Sequence, residues 1–281
     1  MKTLSLSTST LDVTDSEALT EKLQALERKT IELEESIRYA GSLQQSILPN
    51  ERIFKNAFDD AFVMFQPKDI VSGDFYWIAS YDEDVYFAVG DCTGHGIPGA
   101  LLNIAGNAFL RQIIRREGVS DPAKIISTLD VELSSLFNDN RTVGMTRDGM
   151  DIVLCKFNLK TMKGWSCNAG RPLVLVRNGD IIEMKKGASA IGYDVEVEKQ
   201  FETIEFELEK GDNFYLFTDG YTDQFGGDNV KKFNRRRFRN MLCALESYNL
   251  KTQKEMLALS FEDWKGPHEQ IDDVCVVGVK V

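Results

Sequence analysis

The chain has 281 residues, 43% of them hydrophobic and 27% charged, so it can bury a full core. Its net charge of -11 argues against nucleic acid or an anionic membrane as the main partner and favours a carboxylate-rich cation site. The five cysteines form no CxxC pair, so we expect neither a zinc site nor a disulfide framework. This cysteine usage predicts a reducing, cytoplasmic setting. We also expect no membrane span and no direct membrane contact in this chain, which could be the cytoplasmic part of a longer membrane sensor.

The first predicted element is a long helix. Residues 1–13 are polar and predict a flexible N-terminus, and Thr14 with Glu17 fits a capping box that opens a helix over 14–49. Two interpretations are open: a helix packed along its own domain, or a dimerising coiled coil or signalling linker. The second predicts a homodimer through this helix. It rests on a heptad seam that weakens at Ala40 and Gln44 and consists otherwise of Leu19, Leu23, Leu26, Thr30, Leu33, Ile37 and Ile47.

The rest of the chain, 53–281, has the pattern of an α+β domain. Nine short β-like runs alternate with turn residues, and Asn-Gly at 178–179 between two of them is a strong hairpin signal. Helices are predicted at 98–116, 121–136, 229–246 and 250–264. We therefore predict two packed antiparallel β-sheets flanked by helices.

Aspartates adjoin the ends of several predicted strands. One such aspartate is most simply a turn residue that bonds its own backbone. Several together predict a site for hard cations such as Mg²⁺ or Mn²⁺, which prefer oxygen ligands, and two histidines are too few for a His-built centre. Two such ions suit the in-line displacement of a phosphate ester. The aspartates are Asp74, Asp91, Asp219, Asp272 and Asp273.

The glycine-rich stretch GDCTGHGIPG at 90–99 is the other candidate for phosphate chemistry. It lacks the GK[ST] ending of a P-loop, and it is not a GxGxxG that opens a helix after a βαβ strand. The stretch therefore favours a metal site over a nucleotide cradle.

Six motifs in order resemble the SpoIIE/RsbU-type branch of the metal-dependent protein phosphatases (PPM family), and two of them, DGMD and GDCTGHG, are most similar to its SiaA-like members. The resemblance implies the αββα sandwich and a protein serine/threonine phosphatase that uses two Mn²⁺ or Mg²⁺ ions per chain. It also implies a phosphorylated STAS-domain protein as the partner, attacked directly by metal-activated hydroxide without a phosphoenzyme. The motifs lie within residues 67–281 and are SGDFYW, GDCTGHGIPGALL, DGMDIVLC, NAGRPLVL, FTDGYTDQ and IDDVCVVGV.

The resemblance also implies roles for individual residues. Asp91 would bridge the two metals, with Asp74 and the backbone carbonyl of Cys92 at one of them. Asp219 and Asp272 would hold the other metal. Asp273 occupies the neighbouring position and ranks below Asp272 as a ligand.

Other residues near these motifs keep two interpretations each. His95 is either a catalytic acid or a loop histidine, because it follows Asp91 by four residues where eukaryotic relatives have their acid after two. Lys68 is either a phosphate-binding cation or a solvated lysine. Arg171 stands where relatives commonly have His. It is either a substrate contact or a structural residue. Asp148 and Asp151 are either near the metals or belong to a loop and the strand after it.

Two further hypotheses concern the chain as a whole. The alternative function is a catalytically weak pseudophosphatase that acts as a dimerising signalling or binding module. For control, we hypothesise that the position of the long helix, transmitted through residues 53–74, sets the placement of Asp74 and Asp91.

Overall fold

The computed structural model describes residues 11–115, 119–138, 148–184, 190–192 and 199–281. Helix α1 spans Leu11–Ile47, so Thr14 lies inside the helix and not at its cap. Of residues 1–13, for which a flexible N-terminus is predicted, 11–13 lie in α1 and 1–10 lie outside the described part. No helix in the described ranges combines the length and apolar character that a membrane crossing requires.

Helix α1 contacts the rest of the protein only near its C-terminal end. Leu26 and Leu33 are 63% and 59% exposed, so the N-terminal part of the seam does not pack along its own domain. Gln44 differs from the prediction of a weak seam position, because it is 3% exposed. The Gln44 side chain bonds both backbone groups of Ser72: its Nε2 donates to the Ser72 carbonyl (2.6 Å), and its Oε1 accepts from the Ser72 N–H (3.0 Å).

A short helix, α2, spans Glu51–Ala57, so the predicted domain start at residue 53 falls inside a helix. Asn50 caps α2, because its side chain accepts from the N–H of Arg52. The side chain of Phe54 in α2 is fully buried. The sequence pattern missed α2 because seven residues contain only two turns of periodicity.

Twelve strands follow within the described ranges, and each of the nine predicted β-like runs contains a strand. The bounds are β1 Asp60–Gln66, β2 Asp74–Tyr81, β3 Asp84–Cys92, β4 Met150–Asn158, β5 Lys163–Ala169, β6 Val174–Arg177, β7 Asp180–Glu183, β8 Ile204–Glu207, β9 Asn213–Phe217, β10 Phe225–Gly226, β11 Lys231–Lys232 and β12 Val274–Lys280. The predicted hairpin at Asn178 and Gly179 joins β6 to β7, and both residues have positive φ, as a type I′ turn requires.

Five further helices complete the described fold. They are α3 Gly96–Arg115, α4 Pro122–Asn138, α5 Gly220–Asp223, α6 Arg235–Leu245 and α7 Leu250–Lys265. The helix predicted over 229–246 is wrong at its start, because Lys231 and Lys232 pair with β10. Asn234 then caps α6 by accepting from the N–H of Arg237.

The strands form two large antiparallel sheets, which confirms the predicted sandwich. The first has the order β1-β12-β9-β6-β7 and the second the order β2-β3-β4-β5-β8. Phe87, Phe157 and Phe214 meet edge to face between them, with centroids 4.9 and 4.7 Å apart. Helices α3 and α4 cover the outer face of the second sheet, and α6 and α7 that of the first. The layers are therefore α, β, β, α.

Candidate metal centre

The second sheet brings three of the aspartates into one row. Asp74 begins β2, Asp91 lies near the end of β3 and Asp151 lies near the start of β4. The strand register pairs Asp74 with Asp91, and Asp91 with Asp151. Because the strands are antiparallel, the start of one and the end of the next meet at the same edge.

The first sheet supplies the remaining carboxylates at the same edge. Asp219 follows β9, and Asp272 and Asp273 precede β12, which is the antiparallel neighbour of β9. A hydrogen bond joins the two sheets here, because the Thr218 hydroxyl donates to Asp74 Oδ2 over 2.6 Å. The edge where both sheets meet is therefore the acidic end of the sandwich.

A cavity of ≈ 160 Å³ opens at this edge. Asp91, Asp151, Asp219 and Asp272 line it, and the loop 92–95 and Arg171 form the rest of the wall. Asp74, Asp273 and Lys68 do not line it. The sequence-predicted residues thus divide into those that face the cavity and those behind it.

Asp272 and Asp273 differ sharply in their surroundings. Both oxygens of Asp273 are occupied by backbone donors, Oδ1 by the N–H of Lys68 (2.7 Å) and Oδ2 by the N–H of Gly73 (2.8 Å). Asp273 is 2% exposed, whereas Asp272 faces the cavity. Asp273 holds the segment that leads to Asp74, and Asp272 presents its carboxylate to the site.

Burial and mutual repulsion raise the pKa values of the acidic groups. Burial, followed by the charge of Asp91, raises the pKa of Asp74 well above its usual range, although its bond from Thr218 acts in the opposite direction. Burial also raises the pKa of Asp91 to about 8, against the lowering effect of Arg171, with Asp219 adding to the rise. The pKa of Asp272 is raised mainly by burial.

The loop after β3 is shaped by glycines. Gly94 and Gly96 have φ of 77° and 67°, and a Cβ at Gly73 or Gly99 would collide with the Gly94 carbonyl. Thr93 fixes the loop, because its N–H and hydroxyl both donate to the carbonyl of residue 149. These close approaches explain why the stretch is rich in glycine, because its backbone folds tightly against the residues before β2.

His95 lies in a chain of polar groups at the rim. Its Nδ1 is 2.8 Å from Asp69 Oδ2, and its Nε2 is 3.1 Å from Lys68 Nζ. When Nδ1 carries the proton it donates to Asp69, and Nε2 then accepts from Lys68. The two predicted catalytic candidates therefore contact each other, and Asp69, which sequence reasoning missed, orients the ring.

Arg171 occupies the centre of the acidic cluster, between β5 and β6. Its Nη2 donates to Asp219 Oδ2 (2.8 Å) and to Asp91 Oδ2, and its Nε lies 3.2 Å from Asp151 Oδ2. Burial lowers the pKa of Arg171, but the three carboxylates raise it above its ordinary value. The motif NAGRP contains this residue, but no spacing rule predicts that one guanidinium contacts three aspartates from three separate segments.

The chemistry of the donors fits a hard divalent cation. Asp91, Asp219 and Asp272 present carboxylates to one cavity, with the carbonyl end of β3 beside them at Cys92, and every donor is oxygen. As they stand, no three His, Cys, Asp or Glu side chains within the described ranges converge on one point. The oxygen donors therefore suit a hard divalent cation. The guanidinium of Arg171 contacts two of them, the carboxylates of Asp91 and Asp219.

Residues 81–281 match the family described as stage II sporulation protein E (SpoIIE). The chain belongs to the SpoIIE family. This confirms the resemblance drawn from the six motifs, and the long stretch of agreement covers both sheets except β1 and most of β2.

Individual members and neighbours of the SpoIIE family agree with this assignment. Phosphoserine phosphatase RsbU of Bacillus subtilis (strain 168) is 23% identical over 196 residues, 68% of this chain and 55% of RsbU, so the chain spans little more than half of that relative. The SiaA-PP2C domain of Pseudomonas aeruginosa superposes with a TM-score of 0.81 at 29% identity, covering 90% of this chain and 98% of that domain. RsbX, solved in complex with magnesium, superposes with a TM-score of 0.55 at 17% identity, covering 79% and 94%.

Proposed function

We propose that this chain is a metal-dependent protein serine/threonine phosphatase. The observation that carries the proposal is the cavity shared by Asp91, Asp219 and Asp272, in a chain of the SpoIIE family. The name of RsbU, a phosphoserine phosphatase, supports the reaction. Two Mn²⁺ or Mg²⁺ ions, when bound, supply activation of the attacking water and neutralisation of charge on the phosphate.

The proposed metal ligands follow the family resemblance. Asp91, which lines the cavity and is in register with Asp74 and Asp151, is the proposed bridging ligand, with the Cys92 carbonyl and Asp74, which lies behind the cavity wall, on one side. Asp219 and Asp272 are the proposed ligands on the other side. Asp273 is proposed as a positioning residue, because backbone donors already use both of its oxygens.

The residues at the rim have proposed roles in handling the phosphoester. His95 lines the cavity, its Nδ1 is 2.8 Å from Asp69 Oδ2 and its Nε2 is 3.1 Å from Lys68 Nζ. We propose Lys68 as a cation for the phosphate and His95 as the candidate proton donor to the leaving oxygen. We propose no cysteine nucleophile at the cavity, since burial raises the pKa of the Cys92 thiol well above its usual range.

The proposed substrate is a phosphoserine or phosphothreonine on a small STAS-domain protein. The support is the family resemblance, in which the SiaA-like and RsbU-like members regulate such partners. The proposed setting is cytoplasmic, with a homodimer formed through α1.

The deciding experiment is hydrolysis of p-nitrophenyl phosphate by the purified chain with Mn²⁺, with Mg²⁺ and with excess EDTA. We expect turnover with either ion and none with the chelator. Asp91→Asn should reduce turnover at least about a hundredfold, because it removes a charge shared by both ions. Full activity in EDTA would contradict the metal mechanism, and no activity in any metal would leave the pseudophosphatase as the better account.

A second assay addresses the partner. Phosphorylated STAS-domain proteins and a phosphoserine peptide of the same local sequence are offered at equal concentration. We expect a much higher kcat/KM for the folded partner, since a docking surface contributes binding that a peptide lacks. Equal kcat/KM for both would contradict a STAS-domain substrate while leaving the phosphatase activity intact.

A further inference from the structure

The guanidinium of Arg171 uses oxygens that the proposed metal ions need. Nη2 bonds the Oδ2 atoms of both Asp91 and Asp219, and the residue as a whole is 8% exposed. Asp91 and Asp219 come from different sheets, so a single nitrogen crosslinks the two halves of the acidic cluster. No other Lys or Arg lines this cavity among the described residues.

The backbone on either side of Arg171 fixes this position. Gly170 has a φ of 87°, and a Cβ at that residue would collide with the Asp151 carboxylate. An isolated bridge joins Gly170 to Ile152, next to Asp151. The chain therefore crosses from the second sheet to the first directly beside the carboxylates, which directs the Arg171 side chain into the cavity.

The charges at the site make a guanidinium and a divalent cation alternatives. Four carboxylates line the cavity, and an arginine side chain stays protonated at any pH of interest. A divalent ion bound to Asp91 and Asp219 would lie about 2 Å from oxygens that Arg171 now contacts. A guanidinium and a divalent ion that shared these oxygens would be close neighbours, and two positive groups in a poorly solvated site repel each other strongly.

We propose that Arg171 is a built-in competitor of the metal ions. It pairs with Asp91 and Asp219, holds the two sheets' carboxylates together, and lowers the affinity of the site for divalent cations. Metal binding displaces the guanidinium from those two aspartates, while Asp151 remains as its partner. The competition sets the metal concentration at which this chain becomes loaded. This inference rests on the proposed metal site.

The test is direct measurement of Mn²⁺ binding by titration calorimetry on the full chain. Arg171→Met and Arg171→Gln remove the charge, and Arg171→Lys keeps it with fewer donors. We expect Arg171→Met and Arg171→Gln to lower the Kd for Mn²⁺ at least about tenfold. The Kd of Arg171→Lys should lie between the values of those variants and that of the parent. The matched control is Arg177→Met, since Arg177 pairs with Asp212 and Glu209 at the opposite end of β9.

Thermal unfolding supplies a second readout that does not depend on activity. Without divalent ions, the Arg171→Met variant should have a lower melting temperature than the parent, because the carboxylates around residue 171 lose their counter-cation. Saturating Mn²⁺ should reduce this difference in melting temperature. Arg177→Met should keep its deficit in both conditions. Unchanged or weaker Mn²⁺ binding in the folded Met, Gln and Lys variants would overturn the competition. Absence of Mn²⁺ binding by the parent and all variants would instead contradict the proposed metal site.

Discussion

At the scale of single residues, the site depends on a division between aspartates that face the cavity and aspartates that hold the backbone. Asp272 belongs to the first group and Asp273 to the second, although they are adjacent in the sequence. The motif IDDVCV could not separate them, because both precede the same strand. Their difference comes from the N–H groups of Lys68 and Gly73, about two hundred residues earlier, with separations of 205 and 200.

This division predicts opposite effects of two isosteric changes. Asp272→Asn should weaken Mn²⁺ binding and lower the melting temperature less than Asp273→Asn, because only one oxygen of Asp272, Oδ1, accepts a backbone N–H, that of Asp273 (2.9 Å). Asp273→Asn should lower the free energy of unfolding by about 1–3 kcal/mol, since its amide nitrogen cannot accept a backbone hydrogen bond. Thermal unfolding and calorimetry on both variants check the pair. A stable Asp273→Asn that loses Mn²⁺ would reverse the assignment.

The raised pKa values of the buried carboxyls predict how stability depends on pH. Burial is the main cause for Asp74 and for Asp91, whose pKa is raised to about 8. A carboxyl with a raised folded-state pKa stabilises the fold fully below its unfolded value, about 4, and loses that contribution as pH rises through its folded value. Without divalent cations, the melting temperature should therefore fall between about pH 4 and pH 8.

Two comparisons test the origin of that decline. Asp91→Asn should show a shallower fall, because one of the responsible groups no longer titrates. Saturating Mn²⁺ should flatten it in the parent, because metal binding favours the ionised carboxylates. A melting temperature that rises over this range in the metal-free protein would contradict the predicted direction.

At the scale of elements, α1 is coupled to the site by one side chain. Gln44 bonds both backbone groups of Ser72, and Ser72 bonds the N–H of Asp74 through its hydroxyl (3.1 Å). Asn103 of α3 joins the same segment by donating to the carbonyl of Asp74 (2.6 Å). The hypothesised coupling between α1 and Asp74 therefore has a candidate path through the hydrogen bonds of Gln44 and Ser72. This path is shorter than the chain from residue 53 to residue 74.

We predict that Gln44→Leu changes the metal response of the enzyme. The substitution leaves the buried N–H of Ser72 without its acceptor, so the segment before Asp74 should become less well ordered. We expect a higher Mn²⁺ concentration for half-maximal turnover. Gln45→Leu, at an exposed neighbouring position, is the matched control. Identical Mn²⁺ dependence of both variants and the parent would show that α1 is a passive tether.

The N-terminal part of α1 predicts a dimer. Leu26 and Leu33 are exposed on the seam, and apolar side chains in heptad spacing gain most by packing against a second helix. The double change Leu26→Glu with Leu33→Glu should convert a dimer to a monomer in sedimentation equilibrium. Ile31→Glu is the control, because Ile31 is 57% exposed but lies off the seam. A dimer that survives the double change would place the interface elsewhere.

At the scale of the whole molecule, most of the sandwich was predictable because its strands are local patterns. The run VYFAVG and the Asn-Gly turn each signal their structure within a few residues. The start of α6 was not predictable, since Lys231 and Lys232 owe their strand conformation to pairing with β10. Gln44 was read as a weak seam position because its partner, Ser72, is distant in the sequence. Arg171 was similarly ambiguous until three strands placed carboxylates around it.

The position of β12 has a consequence for how the protein is made. This strand lies between β1 and β9 and carries Asp272 and Asp273 at its entrance. While the ribosome is still translating the preceding helices, β1 and β9 each present an unpaired edge, which is a hazard for aggregation. The catalytic cavity also lacks one wall until β12 inserts. We therefore expect a polypeptide that lacks β12 to show no turnover of p-nitrophenyl phosphate, because it lacks the strand that positions Asp272 and Asp273.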